Sequence, residues 1–223
     1  LRMQTIRDEL GEIAERYGDS RRTEIVGENA SFDPEDLIAD EPMVITVSNQ
    51  GYIKRIPLDT YRQQRRGGRG IAGMGTKDED WVEHLFTASA HDYLMFFTAR
   101  GQLYWLKVHQ IPQASRTSRG KPIVNLLNID KDETIASIVR TREFPEDRYL
   151  LFATRRGQIK KTSLAAYSNV RTVGLNAINI VDGDSLIDVQ LIDPGNHILL
   201  VTRKGMAIRF DEADAREMGR ATH

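Results

Sequence analysis

The chain has 223 residues, no cysteine, and a formal net charge of -1. That length holds one large domain or two small ones, and the missing cysteines exclude a disulfide framework and a thiolate metal centre, as suits a reducing compartment. No stretch approaches the roughly 18 apolar residues of a membrane span, and Leu1-Arg2-Met3 opens no apolar leader.

The small net charge hides an asymmetry. Residues 1–42 carry 5 basic and 12 acidic groups, net -7, whereas residues 43–223 carry 26 and 20, net +6. Taken in order, residues 1–17 read as helix, because Ile6, Leu10, Ile13 and Tyr17 recur at three- and four-residue spacing and Gly18-Asp19 ends the run. The expected organisation is a helical segment over 1–26, an acidic linker over 27–42 with a short docked turn from Asp36 to Ala39, and a β domain over 43–223. The pattern turns to β after residue 42: Met43 to Val47, a turn ending in Gly51, and Tyr52 to Ile56 predict a hairpin.

The same hairpin recurs around Gly101, Gly157 and Gly205, at spacings of 50, 56 and 48 residues. A β repeat of that length points to propeller-like blades. A second glycine follows each turn: Gly70, Gly120, Gly174 and Gly219, each in a loop with basic or polar flanks. Further strands are expected over Val82 to Thr87, Thr134 to Val139 and Leu186 to Leu191, the last two preceded by acidic turns. One repeat therefore reads hairpin, glycine-marked loop, short strand, acidic turn, strand, with about four blades and an incomplete last one.

The marked loops carry the charge. From Lys54 to Arg69 there are six basic groups and one acid, Asp59. Gln64-Arg65-Arg66-Gly67-Gly68-Arg69-Gly70 is the densest part, where glycine leaves amides uncovered and arginine offers planar donors to phosphate. The second loop holds Arg116, Arg119 and Lys121 with no acid; the third has Arg171; the fourth is mixed and includes Arg220. Lys54, Arg55, Arg62, Arg155, Arg156, Lys160, Lys161, Arg203 and Lys204 flank the turns or loops and complete the candidate phosphate-binding perimeter. A solvated surface is the plainer alternative, favoured for a single group such as Arg203 taken alone. Gly68-Arg69-Gly70-Ile71-Ala72-Gly73 matches the dinucleotide pattern, but Gly73-Met74-Gly75-Thr76 is a poor helix start, so a nucleotide site is set aside. The five histidines lack ligand spacing, and no nucleophile–base pair is seen, so neither a metal site nor a catalytic residue is expected.

Gln64-Arg65-Arg66-Gly67-Gly68-Arg69-Gly70 resembles the GyrA box of the DNA gyrase A subunit family, with Arg69 where lysine is usual. Tyr61, the run Ala114 to Leu127, and Tyr17-Gly18-Asp19-Ser20-Arg21-Arg22-Thr23-Glu24-Ile25 resemble the same family, the last looking like the end of its long helical arm. The resemblance implies a mainly all-β fold from about residue 33, a β-pinwheel of four-stranded blades that exchange strands with their neighbours. It implies double-stranded DNA wrapped non-sequence-specifically on the basic perimeter, so that the enzyme introduces negative supercoils with ATP hydrolysis. It places the catalytic tyrosine upstream and the ATP and magnesium sites on a different polypeptide, with no cofactor in this stretch. The implied partners are the gyrase B subunit and a second copy of the A subunit, joined in an A2B2 assembly in the bacterial cytoplasm and associated with the chromosome. The A-type subunit of topoisomerase IV, a decatenase, is the near alternative, and a propeller-like protein-interaction scaffold the distant one.

Overall fold

The computed structural model describes residues 2–20, 22–23, 34–61, 70, 73–75, 80–130, 132–169, 173–220 and 222. They fall into two compact units, Leu1–Leu37 and Ile38–His223. The first holds one helix, α1 (Arg2–Tyr17), formed where the apolar spacing predicts it; Ile6, Leu10, Ile13 and Tyr17 are all exposed on it. A short 3-10 turn follows at Pro34–Leu37. The boundary falls before residue 42 because the segment ahead of the first strand is tied to the blades. The Glu41 carbonyl accepts from the Ala90 amide at 2.9 Å. Asp40 accepts from the Ser89 hydroxyl and pairs with Arg142 at 3.0 Å. The Ser89 hydrogen bond, with Arg142 beside it, holds the Asp40 carboxyl down at about 2.

The second unit is antiparallel β throughout its named sheets. Its strands are β1 (Pro42–Ser48), β2 (Tyr52–Pro57), β3 (Val82–Ser89), β4 (Tyr93–Thr98), β5 (Gln102–Lys107), β6 (Lys121–Pro122) and β7 (Ile135–Thr141). They continue as β8 (Tyr149–Thr154), β9 (Ile159–Ser163), β10 (Leu175–Asn176), β11 (Leu186–Ile192), β12 (His197–Val201) and β13 (Ala207–Asp211). Each expected hairpin is present, as β1–β2, β4–β5, β8–β9 and β12–β13. The sheet orders are β3-β1-β2-β6, β10-β5-β4-β7, β11-β8-β9 and β12-β13.

The four turns share one construction. Gly51, Gly101, Gly157 and Gly205 have φ between 78° and 86°, a region that costs a residue with a Cβ about 1–2 kcal/mol. Three residues before each stands a hydroxyl: Ser48, Thr98, Thr154 and Thr202. Each hydroxyl accepts from the amide that follows the glycine, at 3.0–3.2 Å. Acids two residues ahead of β3 and β11, the second of them in the expected acidic turn at 182–184, complete the device at the first and third hairpins. Asp80 accepts from the Gln50 amide and Asp184 from the Arg156 amide, at 3.1 and 3.0 Å. Both acids thus cap a hairpin turn of the blade to which their following strand belongs.

The short strands after the second and third glycine-marked loops belong to the preceding blade. β6 comes from the second repeat but pairs with β2 of the first, Ile53 opposite Lys121. β10 comes from the third repeat and pairs with β5 of the second. A repeat in sequence is therefore not a blade in space.

Strand periodicity then builds the core. Along β4, Leu94 and Phe96 face one apolar cluster, shared with the first blade, while Met95 and Phe97 face the next, shared with the third. All four are fully buried, each contributing about 1.5–3 kcal/mol of apolar burial. β8 repeats the pattern with Leu150 and Phe152 on one side and Leu151 on the other. On the last hairpin, Leu199, Val201, Met206 and Ile208 are exposed.

Gly101 and Gly157 separate two costs of losing a turn glycine. Both need positive φ, but a Cβ at Gly101 would sit 2.4 Å from the Ile178 carbonyl, whereas Gly157 has open space. Gly157→Ala is expected to cost about 1–2 kcal/mol, and Gly101→Ala to lower the melting temperature at least twice as far, as thermal unfolding of the two variants will measure.

Candidate nucleic-acid interface

The structure brings both flanks of the first marked loop to the second. Tyr61 ends the 3-10 turn after β2, and its ring lies close enough to Arg116 for the guanidinium to oppose the upward push that burial gives the phenol pKa. Beyond the box, Met74 is buried, and Gly75 lies so close to the second loop that an added Cβ would sit 2.2 Å from the Thr117 carbonyl. The chain that carries the box thus meets the Arg116–Lys121 loop by close packing at Gly75 and feels the Arg116 charge at Tyr61. Within the box only Gly70 is described, and it is exposed; Gln64, Arg65, Arg66, Gly67, Gly68 and Arg69, together with Arg62 and Arg171, lie outside the described residues.

In the second loop, Lys121 is exposed on β6. Arg119 is half-buried with its guanidinium 4.6 Å from the centre of the Tyr52 ring, a cation–π contact that fixes it over that ring. Tyr52 is a supporting residue that charge counting did not single out. Arg155, Arg203 and Lys204 are exposed on the turns of the third and fourth hairpins. Arg156 is exposed beside them and bonds the Asp182 carbonyl at 3.3 Å. Arg220 is half-buried in the fourth loop and reaches the Ala166 carbonyl at 3.5 Å.

Four candidates are not on the perimeter. Lys54, Lys160 and Lys161 are buried, and Arg55 is half-buried. The reason is their place three or four residues after a turn glycine, on the strand that the next repeat covers. Lys54 Nζ donates to the carbonyls of Ser115, Arg116 and Ser118, at 3.1, 2.6 and 2.8 Å. Arg55 Nε donates to the Ile111 carbonyl at 2.6 Å. Lys160 Nζ donates to the carbonyls of Ala177, Arg220 and Thr222. Lys161 forms a buried ion pair with Glu212, which holds that carboxyl below its usual range. Their charge is satisfied by carbonyls, most of them from the following repeat, and at Lys161 by the Glu212 carboxylate, and is unavailable to an external phosphate.

Tyr104 occupies the position equivalent to Lys54 and Lys160. Gly174, at φ 86°, lies directly over its ring, where an added Cβ would be 2.7 Å from the nearest ring carbon. The glycine of the marked loop is thus a packing glycine as well as a turn glycine. A residue three positions after the turn glycine meets the following loop in all three cases.

The comparisons with known proteins agree with this geometry. A family model described as "DNA gyrase C-terminal domain, beta-propeller" matches residues 42–89, 92–142, 148–193 and 196–223. Its segments start at or just before the first strand of each hairpin. The DNA gyrase A subunit of Halalkalibacterium halodurans is 49% identical over 96% of the chain, which spans 26% of that relative's length. Among solved structures, a C-terminal domain of DNA topoisomerase IV aligns with a TM-score of 0.70 at 33% identity, covering 83% of this chain and 56% of that one. A DNA gyrase A C-terminal domain aligns at 0.65 and 25%, covering 82% and 58%.

Burial also predicts a pH dependence. It pulls the Lys160 ammonium down to about 8, with Arg220 adding repulsion, from an ordinary 10.5. Between those values the unfolded chain holds a proton that the folded chain has lost, so stability rises with pH across that window and is unaffected by this group below it. Denaturant unfolding at about pH 7.5, 9 and 10 should show the rise in the parent chain and a smaller one in Lys160→Met.

Proposed function

This chain belongs to the DNA gyrase C-terminal domain family of β-propellers, and from that membership we propose that it binds, bends and wraps double-stranded DNA for a gyrase. The observation that carries the reading is the convergence of the Arg116–Lys121 loop with both flanks of the Gln64–Gly70 box, at Tyr61 and at Gly75. The second basic, glycine-marked loop therefore lies where the chain enters and leaves the box, so that in this reading the charges of both loops act on one stretch of duplex. Exposed Arg155, Arg156, Arg203 and Lys204 extend basic charge to the later blades. Backbone contacts of this kind hold a duplex without reading its sequence, and wrapping then depends on how easily the DNA bends.

In this reading the wrapped duplex is handed to a cleavage core, and negative supercoiling is driven by ATP hydrolysis. The catalytic tyrosine, the nucleotide and magnesium belong to other parts of an A2B2 assembly with the gyrase B subunit. The chain's own residues position DNA and carry no chemical step. A bacterial cytoplasmic setting beside the chromosome follows from the same reading. The topoisomerase IV structure aligns with a higher TM-score than the gyrase structure, 0.70 against 0.65, so decatenation is the second reading.

Relaxed circular DNA incubated with the chain and closed by a neutral topoisomerase is expected to shift in linking number. The shift should be lost in Arg65→Ala/Arg66→Ala/Arg69→Ala and reduced in Arg116→Ala/Arg119→Ala. An unchanged linking number with salt-sensitive gel binding would mean contact without chiral wrapping. The absence of both a linking-number shift and binding would overturn the DNA reading. Grafted onto the rest of a gyrase, the chain should support supercoiling; support for decatenation alone would favour the second reading.

A further inference from the structure

Lys54 reads in sequence as a phosphate ligand and is instead sealed inside, yet its three hydrogen bonds dictate what the loop above it presents. A trans peptide sets the carbonyl of one residue antiparallel to the amide of the next, and the described residues contain no cis peptide. The carbonyls of Ser115, Arg116 and Ser118 converge on the ammonium. The amides of Arg116, Thr117 and Arg119 therefore point away from it, toward the outer side of the loop. None of these three amides has an acceptor among the described residues, whereas the amides of Ser118 and Gly120 are satisfied within the loop. Ser115 and Thr117 are exposed, and among the described residues Gly75 lies against this side, next to the Thr117 carbonyl.

We propose that the Ser115–Gly120 loop is an oxyanion cradle for a phosphate group, and that Lys54 is its positioning residue. Outward amides grouped on one loop, flanked by Arg116 and Arg119, form a concavity with positive potential. Three of the loop's carbonyl dipoles, those of Ser115, Arg116 and Ser118, are turned inward and neutralised by the ammonium, and that of Thr117 lies against Gly75. Gly120 makes the approach possible, since at φ 84° an added Cβ would sit 2.3 Å from the Ile53 carbonyl and 2.9 Å from Lys54 Cβ. This rests on the DNA-binding reading for its natural ligand, a backbone phosphate, but the cradle's chemistry is that of any phosphate oxyanion. Lys54 never touches the ligand; it sets the direction of the groups that do.

The test follows the amide resonances of Arg116, Thr117 and Arg119 while inorganic pyrophosphate is added to the chain. These three should shift together in the parent chain, and the shifts should be absent in Lys54→Met, which fills the same space without donors. Lys54→Gln, which keeps two donors, should retain a partial response and serves if Lys54→Met does not fold. No response in the parent chain, or an equal response in folded Lys54→Met, would overturn the proposal. A parallel titration with a short linear duplex at several salt concentrations separates the sources of phosphate. If Lys54→Met no longer neutralises one or two phosphates, binding should weaken about tenfold and the salt slope should fall by about 0.9 for each. That weakening should not add to the effect of Arg116→Ala/Arg119→Ala, a non-additivity that general destabilisation would not produce. A pyrophosphate response without duplex binding would keep the cradle and remove the DNA reading.

Discussion

The structure depends on pairing between successive repeats. β6 and β10 are only two residues long, far too short to stand alone, yet each closes the edge of the blade before it. In doing so it lays the glycine-marked loop of one repeat across the second hairpin strand of its predecessor. The apolar clusters follow the same logic, because residues of neighbouring blades share them. Burial and hydrogen bonding thus reward the same arrangement, and each blade is completed by chain that comes later in sequence.

That arrangement creates a problem which the chain solves in two ways. A loop laid across a strand turns some carbonyls inward, and a buried carbonyl without a donor is costly. At Lys54 and Lys160 an ammonium supplies three donors at once. At Tyr104 an aromatic ring fills the space under Gly174. Lys161 adds a buried ion pair with Glu212, itself satisfied by the Gly195 amide. The cations that read as a DNA-binding perimeter are therefore of two kinds. Some face out, as Lys121, Arg155 and Arg203 do, and others fasten one repeat to the next.

Much of the fold was legible in the chain because its signals are local. Positive-φ glycines at 51, 101, 157 and 205 mark turns wherever they occur, and the alternation of apolar residues marks strands. The hydroxyls at Ser48, Thr98, Thr154 and Thr202 were equally readable, since a Ser or Thr three residues before each turn glycine recurs in every repeat. Asp80 and Asp184 could have been recognised by the same spacing logic, as acids placed to cap a turn.

The sequence by itself determined the number of hairpins, their spacing, the basic glycine-marked loops and the family they resemble. Tertiary structure alone decided which repeat completes which blade, and so which basic residues can meet a ligand. The physical reason is that a residue's neighbours along a strand do not say what covers that strand. Lys54 and Lys121 look alike in a charge count, but one lies beneath the second loop and the other stands on the exposed strand beside it. The covering loop comes from more than sixty residues away at Lys54, where Ser118 meets it. Its amides are turned outward by a contact that no local pattern records.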